Sequence, residues 1–338
     1  MRVGINGFGR TGRALLRAIR ERDLGLEVVA VNDLASPAAL ARLLARDSVY
    51  GRYGDAVAVE GSEMIVGDER ISMLAEPEVS QLPWRDLAID VVVECTGRFT
   101  DREKAAKHLD AGAPRVVVSA PSKGADATFV MGVNDDTFDP ERHIVVSNAS
   151  CTTNCLVPMV KVLDDAFGVE RGYMTTVHAY TGDQRLVDSV HKDPRRARAA
   201  AVNIVPTSTG AARSTGEVLP HLAGRLDGMA LRVPVPDGSM TDLVVIVREA
   251  PDADAVRDAF RRAALAGPLV GRLEYAQEAL VSSDIVGDPA SCIFDAELTM
   301  AADHMVKVLG WYDNEWGYAN RLAELTAKVG ASSGIDRR

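Results

Sequence analysis

The sequence predicts an α/β protein of two domains. The first is a mostly parallel sheet with helices on both faces, and the second is an α+β domain with a mostly antiparallel sheet. Three observations carry this. In the N-terminal half, short β-branched runs alternate with amphipathic helical stretches, as in strand–helix–strand units. After residue 150 that alternation gives way to long strand-like runs and three helical ones. The chain has 338 residues, enough for two full cores.

Taken in order, Val3-Gly4-Ile5 reads as a buried strand. Gly12 to Arg22 carries Leu15, Leu16 and Ile19 at helical spacing. Glu27 to Val31 is a second strand, ending at Asn32-Asp33, and Ala38 to Ala45 is helical. Residues 56–75, punctuated by Gly61 and Gly67, predict small antiparallel hairpins. Val91-Val92-Val93 and Val116-Val117-Val118 are further strands, with one helix from Asp101 to Ala111 between them. A helix runs from about 151 to 166. Strands then follow at Met174 to Tyr180, Met229 to Val235 and Leu243 to Arg248, with a helix at Asp254 to Ala266. The polar, basic stretch from Gly182 to Asn203 is too long for an idle loop, so it reads as functional or as an interface. An apolar helix from Tyr318 to Val329 returns to the first domain. The expected domains are therefore 1–150 with 315–338, and 151–314. Gly330 to Arg338 is Gly/Ser-rich and is expected to be disordered.

Composition narrows the function classes. Apolar residues make up 47% and charged residues 25%, ordinary for a soluble globular protein. No apolar run reaches the ~18 residues of a membrane span. The net charge of −10 argues against a general nucleic-acid partner. Strand-like sequence begins directly after Met1, so no targeting peptide is expected, and the four cysteines are too scattered for a disulfide framework. A cytoplasmic, reducing compartment is expected. Cys151 and Cys155 are four residues apart, but no second Cys/His pair accompanies them, so no metal site is expected.

Gly7-Phe8-Gly9-Arg10-Thr11-Gly12 matches G-x-G-x-x-G between a strand and a helix, and Asp33 follows at the end of the next strand. Gly7 permits the tight turn, Gly9 lets backbone approach a pyrophosphate, and Gly12 lets helix and strand pack closely. Asp33 would accept hydrogen bonds from ribose hydroxyls and repel a 2′-phosphate. This is the fingerprint of a Rossmann domain holding NAD.

The most informative segment is Ser147-Asn148-Ala149-Ser150-Cys151-Thr152-Thr153-Asn154-Cys155-Leu156. The apolar helical run after it puts Cys151 near a helix N-terminus, where free N–H groups and the macrodipole stabilise a thiolate. Cys155 reads as a buried helix residue. His178, in the middle of a strand-like run, is the best candidate base. As an imidazolium it would pair with the thiolate, and it would then take a substrate proton. The other five histidines read as structural or surface.

That segment closely resembles the active-site segment of glyceraldehyde-3-phosphate dehydrogenases. So do Asn6 to Gly12, Glu94-Cys95-Thr96-Gly97, Ser119 to Gly124, His191-Lys192-Asp193, Pro206 to Ala212, Leu231 to Pro234 and Trp311 to Glu315. The resemblance covers nearly the whole chain. It implies phosphorylating oxidation of glyceraldehyde 3-phosphate with inorganic phosphate, NAD or NADP as cofactor, and a homotetramer. By resemblance Cys151 is the nucleophile and His178 its activator. Gly7, Gly9, Arg10, Thr11, Gly12, Asp33, Ser119 and Asn314 would hold the cofactor, Asn314 through the carboxamide. Thr181, Asp183 and Arg232 match the substrate-phosphate site. Ser150, Thr152, Thr209 and Gly210, with Arg196 nearby, match the site of the attacking phosphate.

The chemistry follows from the same residues. An aldehyde carries no hydroxyl from which hydride can leave, whereas thiolate addition makes a hemithioacetal that can release one. Two alternatives stay open: the related erythrose-4-phosphate dehydrogenases, which usually lack the features matching Thr181 and Thr209-Gly210, and a redox-sensing protein without catalysis. One departure concerns the cofactor. NAD-selective members commonly carry Leu-Pro before His-Lys-Asp, near the adenosine ribose, and this chain has Ser189-Val190. The expectation is NAD preference with some NADP use.

Overall fold

The computed structural model describes residues 1–331, so residues 332–338 of the tail expected to be disordered lie outside the described residues. The chain divides into two units. One holds residues 1–129, 137–149 and those from 319 on, and the other holds 130–136 and 150–318.

In the first unit β1 (Arg2–Asn6), α1 (Arg10–Glu21), β2 (Glu27–Asn32) and α2 (Pro37–Ala45) alternate, followed by a small hairpin of β3 (Arg46–Asp47) and β4 (Gly51–Arg52). Strands β5 (Val57–Glu60), β6 (Glu63–Val66) and β7 (Glu69–Leu74) pair antiparallel with one another, and β7 joins parallel to β2. Then come β8 (Val91–Glu94), β9 (Val116–Val118), β10 (Ala127–Thr128) and β11 (Val145–Ser147). The sheet order is β10-β11-β9-β8-β1-β2-β7-β6-β5. The order reverses between β1 and β8, which puts the ligand-binding crevice of such a sheet at the C-terminal ends of these strands. The valines of β8 and β9 are fully buried, as continuous β-branched runs in a two-sided parallel sheet should be.

One expectation fails here. The single helix at 101–111 is two short ones, α3 (Arg102–Ala105) and α4 (Lys107–Asp110). Asp101 caps the first through the Lys104 N–H, but at Ala106 the backbone tightens and Leu109 N–H reaches back only three residues, to Ala106 O.

The second unit opens with α5 (Cys151–Phe167), β12 (Val169–Ala179), β13 (Val205–Ser208), α6 (Ala211–Val218) and β14 (Leu226–Val233). It continues with β15 (Ser239–Val247), α7 (Ala253–Leu265), β16 (Leu273–Ala276), β17 (Cys292–Ala302) and β18 (Met305–Tyr312). Helix α8 (Trp316–Gly330) follows, and its residues from Ala319 on belong to the first unit. The sheet order is β13-β14-β12-β15-β18-β17-β16. Neighbours are antiparallel except at β12/β14 and β16/β17.

Period-2 alternation decides which face of this sheet is covered. In β15, Leu243, Val245 and Val247 are buried and the residues between them are half-exposed. They meet Cys155, Leu156, Met159, Val160 and Leu163 of α5 in one core. Truncating Leu163, fully buried there, would cost about 2–5 kcal/mol. The polar stretch read as a functional loop is a series of turns with one 3-10 turn at Ala200–Val202. It leaves Leu186, Val187, Val190 and Val202 largely exposed, as is Ile204 just after it.

Candidate active site

In the first unit the cofactor-type cleft is built from backbone. The chain leaves β1 through Gly7 at φ +95, where a Cβ would lie 2.7 Å from Thr96 N. A Cβ on Gly12 would lie 2.2 Å from Gly7 O, so only glycine lets α1 start so close to the turn. Gly9 is the opposite case: nothing lies within 4 Å of its Cβ position, and bare backbone faces the cleft. Helix α1 begins at Arg10 with no side-chain cap, and Thr11 sits in its first turn. Asp33 is held by its own acceptors, taking Phe8 N–H at 2.8 Å and Ala35 N–H at 3.0 Å. The cleft encloses about 300 Å³, with Gly7, Gly9, Asn32, Asp33 and Thr96 among its walls. A helix start over bare glycine backbone, with a carboxylate at the next strand end, fits a dinucleotide.

A buried polar network, not foreseen in the sequence, lies against this cleft. One Glu94 oxygen accepts from Asn6 Nδ2 at 2.6 Å and from His108 Nε2 at 3.0 Å, and the other accepts the Thr96 N–H at 2.7 Å. Trp84 Nε1–H donates to His108 Nδ1 at 3.0 Å, which leaves the ring proton on Nε2, toward Glu94. Asn32 in turn donates to Asn6 Oδ1 at 2.8 Å. Every strong donor here meets an acceptor, as burial demands. Two expected cofactor residues are arranged differently from the reading. The Arg10 guanidinium is tied to Asp47 at 3.0 and 3.3 Å, so its side chain is committed elsewhere. Ser119 donates its N–H to Glu94 O at 3.0 Å, and its hydroxyl bonds the Cys95 thiol, which burial pushes up to about 12.

In the second unit the reactive centre is built from side chains. Cys151 is the first residue of α5, and Ser150 caps the helix by accepting the Thr153 N–H at 3.0 Å. Ala149, just before the cap, takes φ +56, a left-handed conformation unusual for alanine. His178 shares the covered face of β12 with Met174 and Thr176. Its Nε2 is 3.5 Å from Cys151 Sγ. Parallel register places Arg232 of β14 directly beside it. Arg232 Nη1 is 2.9 Å from both His178 Nδ1 and Ala179 O, and 3.4 Å from Thr181 Oγ1. His178 Nδ1 also lies 2.7 Å from Ala179 O; donation there leaves a lone pair on Nε2, the form a base needs.

The electrostatics set burial against charge at this pair. Burial pushes the Cys151 thiol up to about 11, and the Arg232 charge pulls against that rise. Burial, then the same Arg232 charge, takes His178 down to about 3. Burial thus opposes ionising either group alone, while the attraction between thiolate and imidazolium acts the other way, and Arg232 adds a second positive charge beside the sulfur. Tyr312, missed in the sequence reading, completes the cluster. Its hydroxyl lies 2.8 Å from both Thr152 Oγ1 and Thr176 Oγ1, and its ring packs edge-on against His178 at 5.9 Å.

The expected anion ligands fall into two arrangements. Thr181 joins Arg232 directly. Arg196 ion-pairs with Asp183, donates from Nε to Thr207 Oγ1 at 2.9 Å, and reaches Ser208 O at 3.4 Å, next to Thr209. Asp183 therefore positions an arginine; as an anion it would repel a phosphate. Gly210 precedes α6, with open space at its Cβ position, and Thr209 Oγ1 accepts the Ala211 N–H at 3.2 Å. The Thr152 hydroxyl is turned to Tyr312, which leaves the role expected of it to its backbone. Asn314 is fixed by Ser239, whose hydroxyl donates to Asn314 Oδ1 at 2.6 Å.

Comparison with known proteins gives one answer throughout. Residues 1–102 match the family model described as glyceraldehyde 3-phosphate dehydrogenase, NAD binding domain, and residues 150–314 match the one described as glyceraldehyde 3-phosphate dehydrogenase, C-terminal domain. The chain is 57% identical over 332 residues to glyceraldehyde-3-phosphate dehydrogenase 2 of Streptomyces arenae, covering 98% of this chain and 99% of that one. It is 58% identical over 323 residues to glyceraldehyde-3-phosphate dehydrogenase of Kitasatospora aureofaciens, covering 96% and 97%. It is 55% identical over 339 residues to the Mycolicibacterium smegmatis protein of the same name, covering 98% and 99%.

Proposed function

The chain belongs to the glyceraldehyde-3-phosphate dehydrogenase family, and from that premise we propose that it oxidises D-glyceraldehyde 3-phosphate to 1,3-bisphosphoglycerate, with inorganic phosphate as co-substrate. The observation that carries this reading is the Cys151 sulfur at the start of α5, 3.5 Å from His178 Nε2 and beside the Arg232 charge.

Cys151 Sγ attacks the aldehyde carbon as its proton passes to His178 Nε2. Proton transfer creates both charges together, so their attraction offsets the burial that opposes each alone. The macrodipole of α5 and Arg232 support the thiolate. His178, again neutral once the carbonyl oxygen is protonated, takes the hemithioacetal hydroxyl proton as hydride departs, leaving a thioester on Cys151. Bound NAD supplies the hydride acceptor. Gly7, Gly9, Gly12 and the N–H groups of Arg10 and Thr11 would hold its pyrophosphate, Asp33 its adenosine ribose, and Ser119 and Asn314 its nicotinamide end. Inorganic phosphate then attacks the thioester carbon, and the thiolate of Cys151 leaves. Arg232 and Thr181 suit the substrate phosphate, and Arg196, Thr209 and the N–H at Gly210 suit the attacking one.

The test is NADH formation from glyceraldehyde 3-phosphate with and without phosphate. Turnover that requires phosphate or arsenate supports the proposal, while an unchanged rate without either means hydrolysis of the thioester. The finer proposal on cofactor choice is NAD preference with residual NADP use. A kcat/KM ratio above about a thousand, ~4 kcal/mol, would overturn it.

The exposed Leu186, Val187, Val190, Val202 and Ile204 support self-association, and a homotetramer is proposed. A monomeric mass by light scattering would end that proposal. No helix among the described residues is long and apolar enough to cross a membrane, and a cytoplasmic location is proposed.

A further inference from the structure

We propose that Ser239 is a positioning residue for the nicotinamide end of the cofactor, acting by setting which end of the Asn314 amide is free to donate. Ser239 is fully buried at the start of β15. Its oxygen accepts the Ala179 N–H at 3.0 Å, and the same oxygen lies 2.6 Å from Asn314 Oδ1. A backbone N–H is only a donor, so the Ser239 hydroxyl keeps its own hydrogen to give, and Asn314 Oδ1 takes it. The opposite amide orientation would aim a second donor at Ser239 Oγ and leave the buried hydroxyl hydrogen with no acceptor, which burial penalises. Asn314 Oδ1 is thereby occupied. Its Nδ2 has no partner among the described residues and remains as the donor, although Asn314 itself is only 7% exposed.

An amide donor in a fixed orientation suits a carboxamide oxygen. Without the Ser239 hydroxyl, the two ends of the Asn314 amide become nearly equivalent, and half of the rotational states present an acceptor where a donor is needed. The hydroxyl also ties Asn314 to the residue that follows His178. Ala179 O in turn receives Arg232 Nη1 and lies beside His178 Nδ1. Ser239 thus touches neither sulfur nor imidazole, but it is one hydrogen bond from the base-bearing strand on one side and one from the amide on the other.

The inference rests on the proposal that Asn314 contacts the carboxamide, and the experiment separates the two. Calorimetric affinities for NAD and for ADP-ribose, which lacks the nicotinamide, are compared in the wild type, Ser239→Ala, Asn314→Ala and the double variant. The expected result is a roughly tenfold loss of NAD affinity in Ser239→Ala, the size of one well-placed hydrogen bond, with ADP-ribose affinity unchanged. The double variant should be no weaker than Asn314→Ala alone. Ser239→Thr, which keeps the hydroxyl, should recover most of the loss. The iodoacetamide alkylation rate of Cys151 in the cofactor-free enzyme should stay unchanged, which separates an effect on Asn314 from one on His178. A selective NAD loss in Asn314→Ala with none in Ser239→Ala overturns the role of Ser239. No selective loss in Asn314→Ala overturns the reading of Asn314 itself. Equal losses of NAD and ADP-ribose in Ser239→Ala mean a structural role only.

Discussion

The nucleotide cleft of the first unit and the thiol centre of the second are made in opposite ways. The cleft is a backbone surface: Gly7, Gly9 and Gly12 matter for what they lack, and the groups offered to a ligand are mostly N–H. The thiol centre is a side-chain surface, where Cys151, His178, Arg232, Thr181 and Tyr312 come from four separate elements and one loop. The backbone site has no room for an added carbon at Gly7 or Gly12, and Asp33 is a carboxylate in its wall. A side-chain site tolerates changes of shape but turns on where the protons are.

That contrast predicts independent failures. Cys151→Ser should lower NADH formation by about 10⁴-fold or more while NAD affinity is unchanged. A parallel loss of NAD binding would mean the two regions are not separable. In the other direction, Gly12→Ala puts a carbon 2.2 Å from Gly7 O and should weaken NAD binding roughly 10- to 100-fold. Iodoacetamide alkylation of Cys151 should continue at the wild-type rate; a slowed rate would show that strain at Gly12 reaches the sulfur.

The smallest effect sharpens the role of charge. Burial raises the Cys151 thiol and Arg232 opposes that rise, so alkylation should keep accelerating with pH above the usual cysteine range, near 8.5. Arg232→Ala removes the opposing charge, so the midpoint should move further up, by about one unit. The sign follows because a nearby cation favours the thiolate and its loss favours the thiol. A midpoint that stays put or falls would mean that His178, not Arg232, supplies the positive field.

The same contrast explains what could be read from the chain alone. The glycine spacing and Asp33 lie within thirty residues of one another, and local spacing is what a sequence displays. Cys151 stands out because the segment from Ser147 to Leu156 resembles the family's active-site segment, and the apolar run after it marks a helix start. Its surroundings depend on sheet register. The His178↔Arg232 pair of β12 and β14 and the Ser239↔Tyr312 pair of β15 and β18 put these groups at one end of the sheet. No periodicity in the sequence announces register between strands 54 or 73 residues apart. Glu94 and His108 were hidden for a related reason. Each looks like an ordinary surface residue until the other, with Trp84 and Asn6, is seen beside it in the interior. Thr152 and Arg10 were assigned by position in a motif, whereas their side chains are committed to Tyr312 and Asp47.

The hydroxyl contact between Thr152 and Tyr312 joins residues 160 positions apart, and Tyr312 also packs against His178. Contacts of such long sequence separation carry a larger loop-closure cost than those of the local β1–α1–β2 unit, because a longer stretch of chain must be closed to make them. During synthesis Cys151 leaves the ribosome well before β14 and β18 exist. A growing chain therefore carries the thiol without the arginine and tyrosine that complete its setting, and both the burial that raises it and the charge that opposes the rise come only with the finished protein.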